Sequence, residues 1–248
     1  MPSCDSMFSK LKQLFKRGER TFKLEPILDD DVDLSWLDPP NDPSDRSAWD
    51  RYWSEQVRHG LGPALFDMFC DDRDLIRVMD SEGMKTVLCA GNGISQEPRA
   101  LAEAGFSVVA LDFSLQAVEI ARQCDFPAER FECFCEPGSR RPGGHVDYVL
   151  GDILDTSLFP GPFDVVIERR TAQIFFDQNM VGVLDALARR LSQNGVLLSH
   201  CHDGGWRPPA EPRHFTRSWF EENGWTIWRG SPGRKPSGRV AWPVTSTG

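Results

Sequence analysis

Acidic residues close three apolar runs in succession. Asp112 ends SVVALD, Asp152 ends VDYVLGD and Glu168 ends FDVVIE. Ahead of them the run TVLCA, residues 86–90, opens into the turn Gly91-Asn92-Gly93. Apolar strands alternating with helical patterns form parallel sheets, and ligands bind such sheets beyond the carboxyl ends of the strands. All four segments therefore point to one rim. Glycines in the turn permit unusual backbone angles and close approach of a ligand to the main chain. A carboxylate at the end of the second strand can accept hydrogen bonds from both hydroxyls of a ribose. Three acidic groups at successive strand ends make a poor pyrophosphate site; they suit a ligand that carries an amine or a positive charge.

The turn completes neither of two familiar phosphate motifs. A dinucleotide fingerprint, GxGxxG, needs a third glycine where Gln96 stands, and a P-loop needs GxxxxGK followed by Ser or Thr. The next helix begins near Ser95, whose hydroxyl can cap it. Each acidic residue also has a plainer reading. Asp112 could cap a helix at Phe113-Ser114, and the Gly151-Asp152 pair is a common turn. Phe113 and Ile153 are the apolar neighbours available to pack against a base.

The segment after the fourth strand, ERRTAQIFF, and the loop after the fifth hold the candidates for chemistry on a substrate: Glu168, Arg169, Arg170, His200, His202 and Trp206. Glu168 reads equally as a base or as the partner of an arginine. His202, in a loop past the fifth strand, titrates in the range a proton acceptor needs, or is a surface residue. SHCHDGG offers metal-ligand types, but adjacent strand residues point opposite ways and do not converge, so no metal is expected. Cys133 and Cys135 read as small buried hydrophobes.

The elements that must hold these residues alternate from residue 86 onward. Strands are expected at 86–90, 107–112, 146–152, 163–168 and 195–200, with helices between them. GWTIWRG and GRVAWPV add two more strands in the tail, separated by the turn-rich SPGRKPS. The fold class is α/β: a Rossmann-like, doubly wound, mostly parallel seven-stranded sheet with helices on both faces and an antiparallel edge. Residues 1–46 read as a basic leader and proline-rich linker, 47–84 as a helical cap, and 85–248 as the core. In the cap, Trp49 and Trp53 lie four apart on one helix face that Val57 continues. The aromatic residues there read as ordinary packing or as a lid over the site.

TVLCAGNGIS, VVALDFS, GDI and FDVVIE, in that order, resemble the class I S-adenosylmethionine-dependent methyltransferase superfamily. The resemblance covers about 85–200. It implies S-adenosylmethionine as cofactor, with Gly91 and Gly93 cradling the methionyl part and Asp112 holding the ribose. It also implies Asp152 at the adenine amino group, Ile153 and Phe113 against the ring, and Glu168 and Arg169 bordering the methyl-transfer region. Cys89 stands in the methionyl part of the site where the superfamily usually has an acidic residue, and Ser95 replaces its usual last glycine.

The totals narrow the acceptor. A formal net charge of −9 over 248 residues disfavours general nucleic-acid binding, which needs a basic surface. No PP motif follows the fourth strand, so base methylation has no support. An odd count of seven cysteines without a CxxC pair fits a reducing compartment, the cytoplasm. No apolar stretch reaches the roughly 20 residues of a membrane span. The expected acceptor is a small molecule, with a protein side chain second and nucleic acid unlikely. Two other classes remain open: an NAD-dependent oxidoreductase and a non-catalytic, methyltransferase-like binding protein. The basic leader around Lys10–Lys23 is the one feature that favours a macromolecular or membrane partner.

Overall fold

The computed structural model describes residues 39–59, 76, 79–123, 141–159, 161–169, 171–175, 180–200, 226–227 and 240–243. Ser35–Thr245 form one compact unit; the other, Met1–Leu34 with Ser246–Gly248, lies outside the described residues, as does the basic leader. No helix among the described residues is long and apolar enough to cross a membrane.

The elements are α1 (Arg46–Arg58), β1 (Thr86–Ala90), α2 (Glu97–Glu103), β2 (Ser107–Asp112), α3 (Leu115–Gln123), β3 (His145–Leu150), β4 (Phe163–Arg169), a 3-10 turn (Ala172–Phe175), α4 (Met180–Arg189), β5 (Leu191–His200), β6 (Thr226–Ile227) and β7 (Val240–Pro243). They build a sheet of order β3-β2-β1-β4-β5-β7-β6. β1 is flanked by β2 and β4, so the chain order reverses beside it, which is where such sheets open a crevice at their carboxyl ends.

Period-two alternation along β1 explains the two layers. Val87 and Cys89 face one apolar cluster with Ala100, Leu101 and Phe106. Leu88 and Ala90 face the other, with Val166, Val183 and Leu187. Helix α2 lies over the first face and α4 over the second, so the helices on both faces and the doubly wound parallel sheet are as expected.

The expected antiparallel edge is not what forms. β5 pairs with β7 in parallel, and β6 pairs with β7 in parallel. A hairpin reading took the turn-rich segment as a reversal, but the span 228–239 meets the roughly dozen residues a parallel crossover needs. β3 ends at Leu150 rather than at residue 152.

Helix α1 starts at an N-cap, Asp45, whose Oδ1 accepts from the Ala48 N–H at 3.0 Å. Its buried face carries Trp53 and Gln56. Val57 does not continue that face; it is 45% exposed. Trp53 joins Ile94 and Ala117 in a third apolar cluster, tying α1 to the glycine turn and α3.

At the opposite end of the sheet, Asp164 fixes the register of β1 against β4. Its Oδ2 accepts from the N–H groups of Lys85 (2.8 Å) and Thr86 (3.0 Å) and from the Thr86 hydroxyl (3.1 Å). Asp164→Ala leaves these donors short of an acceptor and should lower unfolding free energy by about 1–3 kcal/mol in urea titrations. Because the contact lies at the amino ends of the strands, ligand affinity at the other rim should not change.

Candidate functional site at the carboxyl ends of β1, β2 and β4

The turn after β1 is anchored by its own backbone. The N–H groups of Gly91 (2.8 Å) and Asn92 (3.1 Å) both donate to the Leu111 carbonyl of β2. Gly91 and Gly93 have φ of 62° and 55°, the left-handed region that favours glycine. Both are also crowded. A Cβ at Gly91 would fall 2.1 Å from Thr171 Oγ1, and one at Gly93 would fall 2.7 Å from the Trp53 ring. Thr171 donates its hydroxyl to the carbonyl of Gly91 at 3.2 Å. Ser95 Oγ accepts from the Glu97 N–H at 3.1 Å, so it does help to start α2. Gln96, in place of a third glycine, is buried.

Asp112 joins this turn to the end of β2. Its Oδ2 accepts from the Gly93 N–H at 2.6 Å and its Oδ1 from the Ser114 N–H at 2.8 Å. Two opposing effects act on the carboxyl group. Burial favours the neutral form, and the nearby Asp50 adds to this; the N–H groups of Ser114, Gly93 and Phe113 favour the ion. Burial dominates, and the pKa rises from 3.8 to about 6. Through Ser114, Asp112 also has part of the alternative capping role at the start of α3, and other residues complete it. Ser114 Oγ accepts from the Ala117 N–H at 3.2 Å, and Asp50 Oδ1 accepts from the Ser114 hydroxyl at 2.6 Å and the Gln116 N–H at 3.2 Å.

The base-packing residues separate. Phe113 is half-buried, and the Arg46 guanidinium of α1 sits 4.5 Å from its ring centroid, covering it by a cation–π contact. Asp152 is half-buried and accepts from the Leu154 N–H at 2.8 Å, a local turn that leaves it on the rim loop. Ile153 is only 7% exposed and packs in the core with Leu88, Leu111 and Val166, so it presents no face to a base. The reason is the earlier end of β3: the turn at Asp152 points the following side chain inward. Leu154, 37% exposed, is the outward apolar neighbour.

Glu168 and Arg169 are adjacent on β4 and part ways. Glu168 is fully buried, and its Oε2 accepts from the N–H groups of Thr171 (3.1 Å) and Ala172 (3.0 Å). It holds the turn that places Thr171 on Gly91, too deep to take a proton from a substrate. Arg169 donates Nε to Glu97 Oε2 at 2.8 Å and Nη2 to Glu97 Oε1, a bidentate ion pair.

Cys89 is buried among Val87, Ala100 and Leu101 on the α2 face of the sheet. Burial pushes its thiol well above its ordinary range, with the Glu97 charge adding and Arg169 opposing. It stays a neutral, packed thiol and offers no negative charge to the rim. Arg170, His202 and Trp206 lie outside the described residues, as do Cys201 and Asp203.

Four residues were missed: Arg46, Asp50, Glu97 and Thr171. Trp53 was seen only as part of a helix face. Their role depends on partners far along the chain, although the i, i+4 tryptophans marked the correct side of α1.

Residues 88–199 match the family model of a methyltransferase domain. No curated protein matches the chain. Among solved structures, it is similar to the plantazolicin methyltransferase BpumL in complex with SAH, at 17% identity and TM-score 0.42, over 64% of this chain and 52% of that one. It is also similar to the structure described as "Conversion of a Disulfide Bond into a Thioacetal Group during Echinomycin Biosynthesis", at 22% identity and TM-score 0.40, over 61% and 59%. A third is a TehB-like SAM-dependent methyltransferase from Corynebacterium glutamicum, at 16% identity and TM-score 0.36, over 62% and 71%. The chain thus spans little more than half the length of the first two.

The raised pKa of Asp112 has a defined sign. An acid whose folded pKa lies above its unfolded value contributes stability that is fully present below the unfolded pKa and is lost as pH rises through the folded one. The stability of the wild type relative to Asp112→Ala should therefore fall between about pH 4 and pH 6.5. Urea titrations at several pH values check this; a difference that stays flat or grows over that window would contradict a half-buried, reluctantly ionised Asp112.

Proposed function

We propose that this chain, whose residues 88–199 match the model of a methyltransferase domain, is a class I methyltransferase that binds S-adenosylmethionine at the β1–β2–β4 rim and methylates a small molecule. The observation that carries this reading is the Asp112 carboxylate fastened to the Gly93 N–H. It sets an acceptor for two neighbouring hydroxyls beside the glycine turn after β1.

The residues present fit that cofactor. Asp112 receives the ribose hydroxyls, Gly91 and Gly93 line the methionyl part, and Asp152 offers an acceptor at the adenine end. The ring of Phe113, with Leu154 on the neighbouring loop, supplies the apolar surface; Ile153 does not. S-adenosylmethionine supplies an electrophilic methyl carbon on a sulfonium. The protein's share is positioning, which is where much of the rate of a bimolecular displacement comes from. The buried Glu168 acts through the turn it holds, keeping Thr171 against Gly91.

Helix α1 serves this site as well. Trp53 on Gly93, Asp50 on Ser114 and Arg46 over Phe113 make it a wall of the crevice. A wall of this kind keeps water from the reacting centre. Any base for the acceptor comes from the ERRTAQIFF or SHCHDGG loops, with His202 the leading candidate, and it is needed only if the acceptor loses a proton as it reacts.

Three measurements test the proposal. Calorimetry should show S-adenosylhomocysteine binding to the wild type, weakened in Asp112→Ala by about 1.5–3 kcal/mol, the value of a lost charge-assisted pair. No binding at millimolar ligand would overturn the reading, and a saturable NADH signal instead would favour an oxidoreductase. Affinity should also drop by about tenfold between pH 8 and pH 5, because hydroxyl donors prefer the ionised Asp112 and protons compete for it below about pH 6. Finally, labelled methyl transfer to small metabolites should be lost in Gly93→Arg and kept after removal of residues 1–24. Transfer to protein or RNA fractions alone would overturn the choice of acceptor.

A further inference from the structure

Arg190 is the largest side chain that the described fold buries completely. It stands directly after α4, and a buried charge is costly unless other groups answer it. Among the described residues it makes no ion pair, and its Nε has no hydrogen-bond partner. Its other nitrogens donate to main-chain carbonyls: Nη1 to Ile153 (2.7 Å) and Ala186 (3.0 Å), Nη2 to Asp155 (2.7 Å). The Ala186 contact is the ordinary use of a cation at a helix end, and a side chain on the surface provides it as well. The other two contacts reach the loop after β3, 37 and 35 residues back in the chain. Burial lowers the pKa of Arg190, and the charges of Asp155 and Asp152 oppose this, so both acids lie close to it.

The Ile153 carbonyl and the Leu154 N–H belong to one peptide group. Arg190 Nη1 holds its oxygen, and Asp152 Oδ1 accepts from its N–H at 2.8 Å. The peptide is fixed from both sides, with its dipole between a cation and an anion, so each contact strengthens the other. Two residues on, Nη2 fixes the Asp155 carbonyl, while the Asp155 N–H closes the turn on the Asp152 carbonyl at 3.1 Å. Upstream, the Gly151 N–H donates to the Asp112 carbonyl at 2.9 Å. Asp152 is thus held between the end of β2 and Arg190. It is half-buried, and its Oδ2 has no partner among the described residues.

We infer that Arg190 is a positioning residue for base selectivity: through the Ile153–Leu154 peptide it fixes the Asp152 carboxylate, and that fixity selects a purine with an amino group over one with a carbonyl at the same carbon. This rests on the cofactor reading above, in which Asp152 is an acceptor at the adenine end. Hypoxanthine has a carbonyl where adenine has its amino group, and an N–H donor on the next ring atom. A carboxylate held in place meets that carbonyl, acceptor against acceptor, and one of the two is left unpaired. A carboxylate free to shift accepts from the neighbouring N–H instead, and the selectivity is lost.

Calorimetry on the full chain with S-adenosylhomocysteine and S-inosylhomocysteine distinguishes this from a structural arginine. The two probes differ only in the six-membered ring of the base. Damage to the fold, to the ribose contact or to the amino-acid end therefore lowers both affinities alike. The wild type should bind S-adenosylhomocysteine at least about tenfold tighter, the scale of one charge-assisted contact. Arg190→Gln should cut that preference about fivefold.

Arg190→Gln leaves carbonyls short of donors and can lose its fold. Arg190→Lys keeps a cation but not the planar fork that spans two carbonyls of the loop, so its preference should fall between those of the wild type and Arg190→Gln. Asp152→Ala should bring the preference to within about threefold of unity, and Arg190→Lys added to it should change it no further, because the arginine acts through that carboxylate. Equal losses toward both probes in the Arg190 variants, or the full loss of preference on top of Asp152→Ala, would make Arg190 structural and overturn the inference while the cofactor reading stands. A wild type that binds both probes equally would also overturn it, and the Asp112 site would still stand. Binding of neither would remove the cofactor reading and the inference together.

Discussion

A single carboxylate links the parts of this rim. Asp112 accepts from Gly93 at 2.6 Å with one oxygen and from Ser114 at 2.8 Å with the other. The first bond ties the turn after β1 to the end of β2; the second sets the start of α3. Two N–H groups at the open ends of a sheet would otherwise need water or a ligand. The carboxyl group is held where burial makes ionisation costly, and only the backbone donors around it keep its pKa near 6. An acceptor that is already partly desolvated and fixed in place loses little when a polyhydroxyl ligand arrives. That is preorganisation in the sense that matters for binding.

Helix α1 depends on the same arrangement. Trp53 fits against Gly93 only because that residue has no side chain: a Cβ there would meet the ring at 2.7 Å. Asp50 reaches the Ser114 hydroxyl at 2.6 Å, and its charge is part of what raises the Asp112 pKa. The helix thus closes one side of the crevice and tunes its central carboxylate. On the other side, the buried Glu168 positions Thr171 against Gly91. The glycine turn is clamped from both flanks, and its positive φ values are sustained by neighbours as well as by its own hydrogen bonds.

Much of the scaffold was legible because period-two and helical patterns are local. β1 and β2 and the turn between β1 and α2 could be read directly from apolar runs and glycines. What failed was which side of each strand a residue faces. Glu168 and Arg169 are consecutive, so one had to point away from the other, but the alternation does not say which layer is the ligand's. Arg169 found its partner 72 residues away, a distance at which no local pattern operates. Ile153 was misplaced because β3 stops at Leu150 and the Asp152 turn resets the alternation. The tail strands were recognised, but their direction was not, since a turn-rich segment can serve a crossover as well as a hairpin.

The central claim is that the ligand site lies at the joined glycine turn and Asp112. Hydrogen–deuterium exchange of the full chain, with and without saturating S-adenosylhomocysteine, locates the site without any substitution. Ligand should slow exchange in peptides covering residues 91–95 and 112–116, with a smaller effect over 46–58, where α1 rests on the turn. Exchange unchanged in those peptides, or protection confined to another part of the chain, would contradict the account.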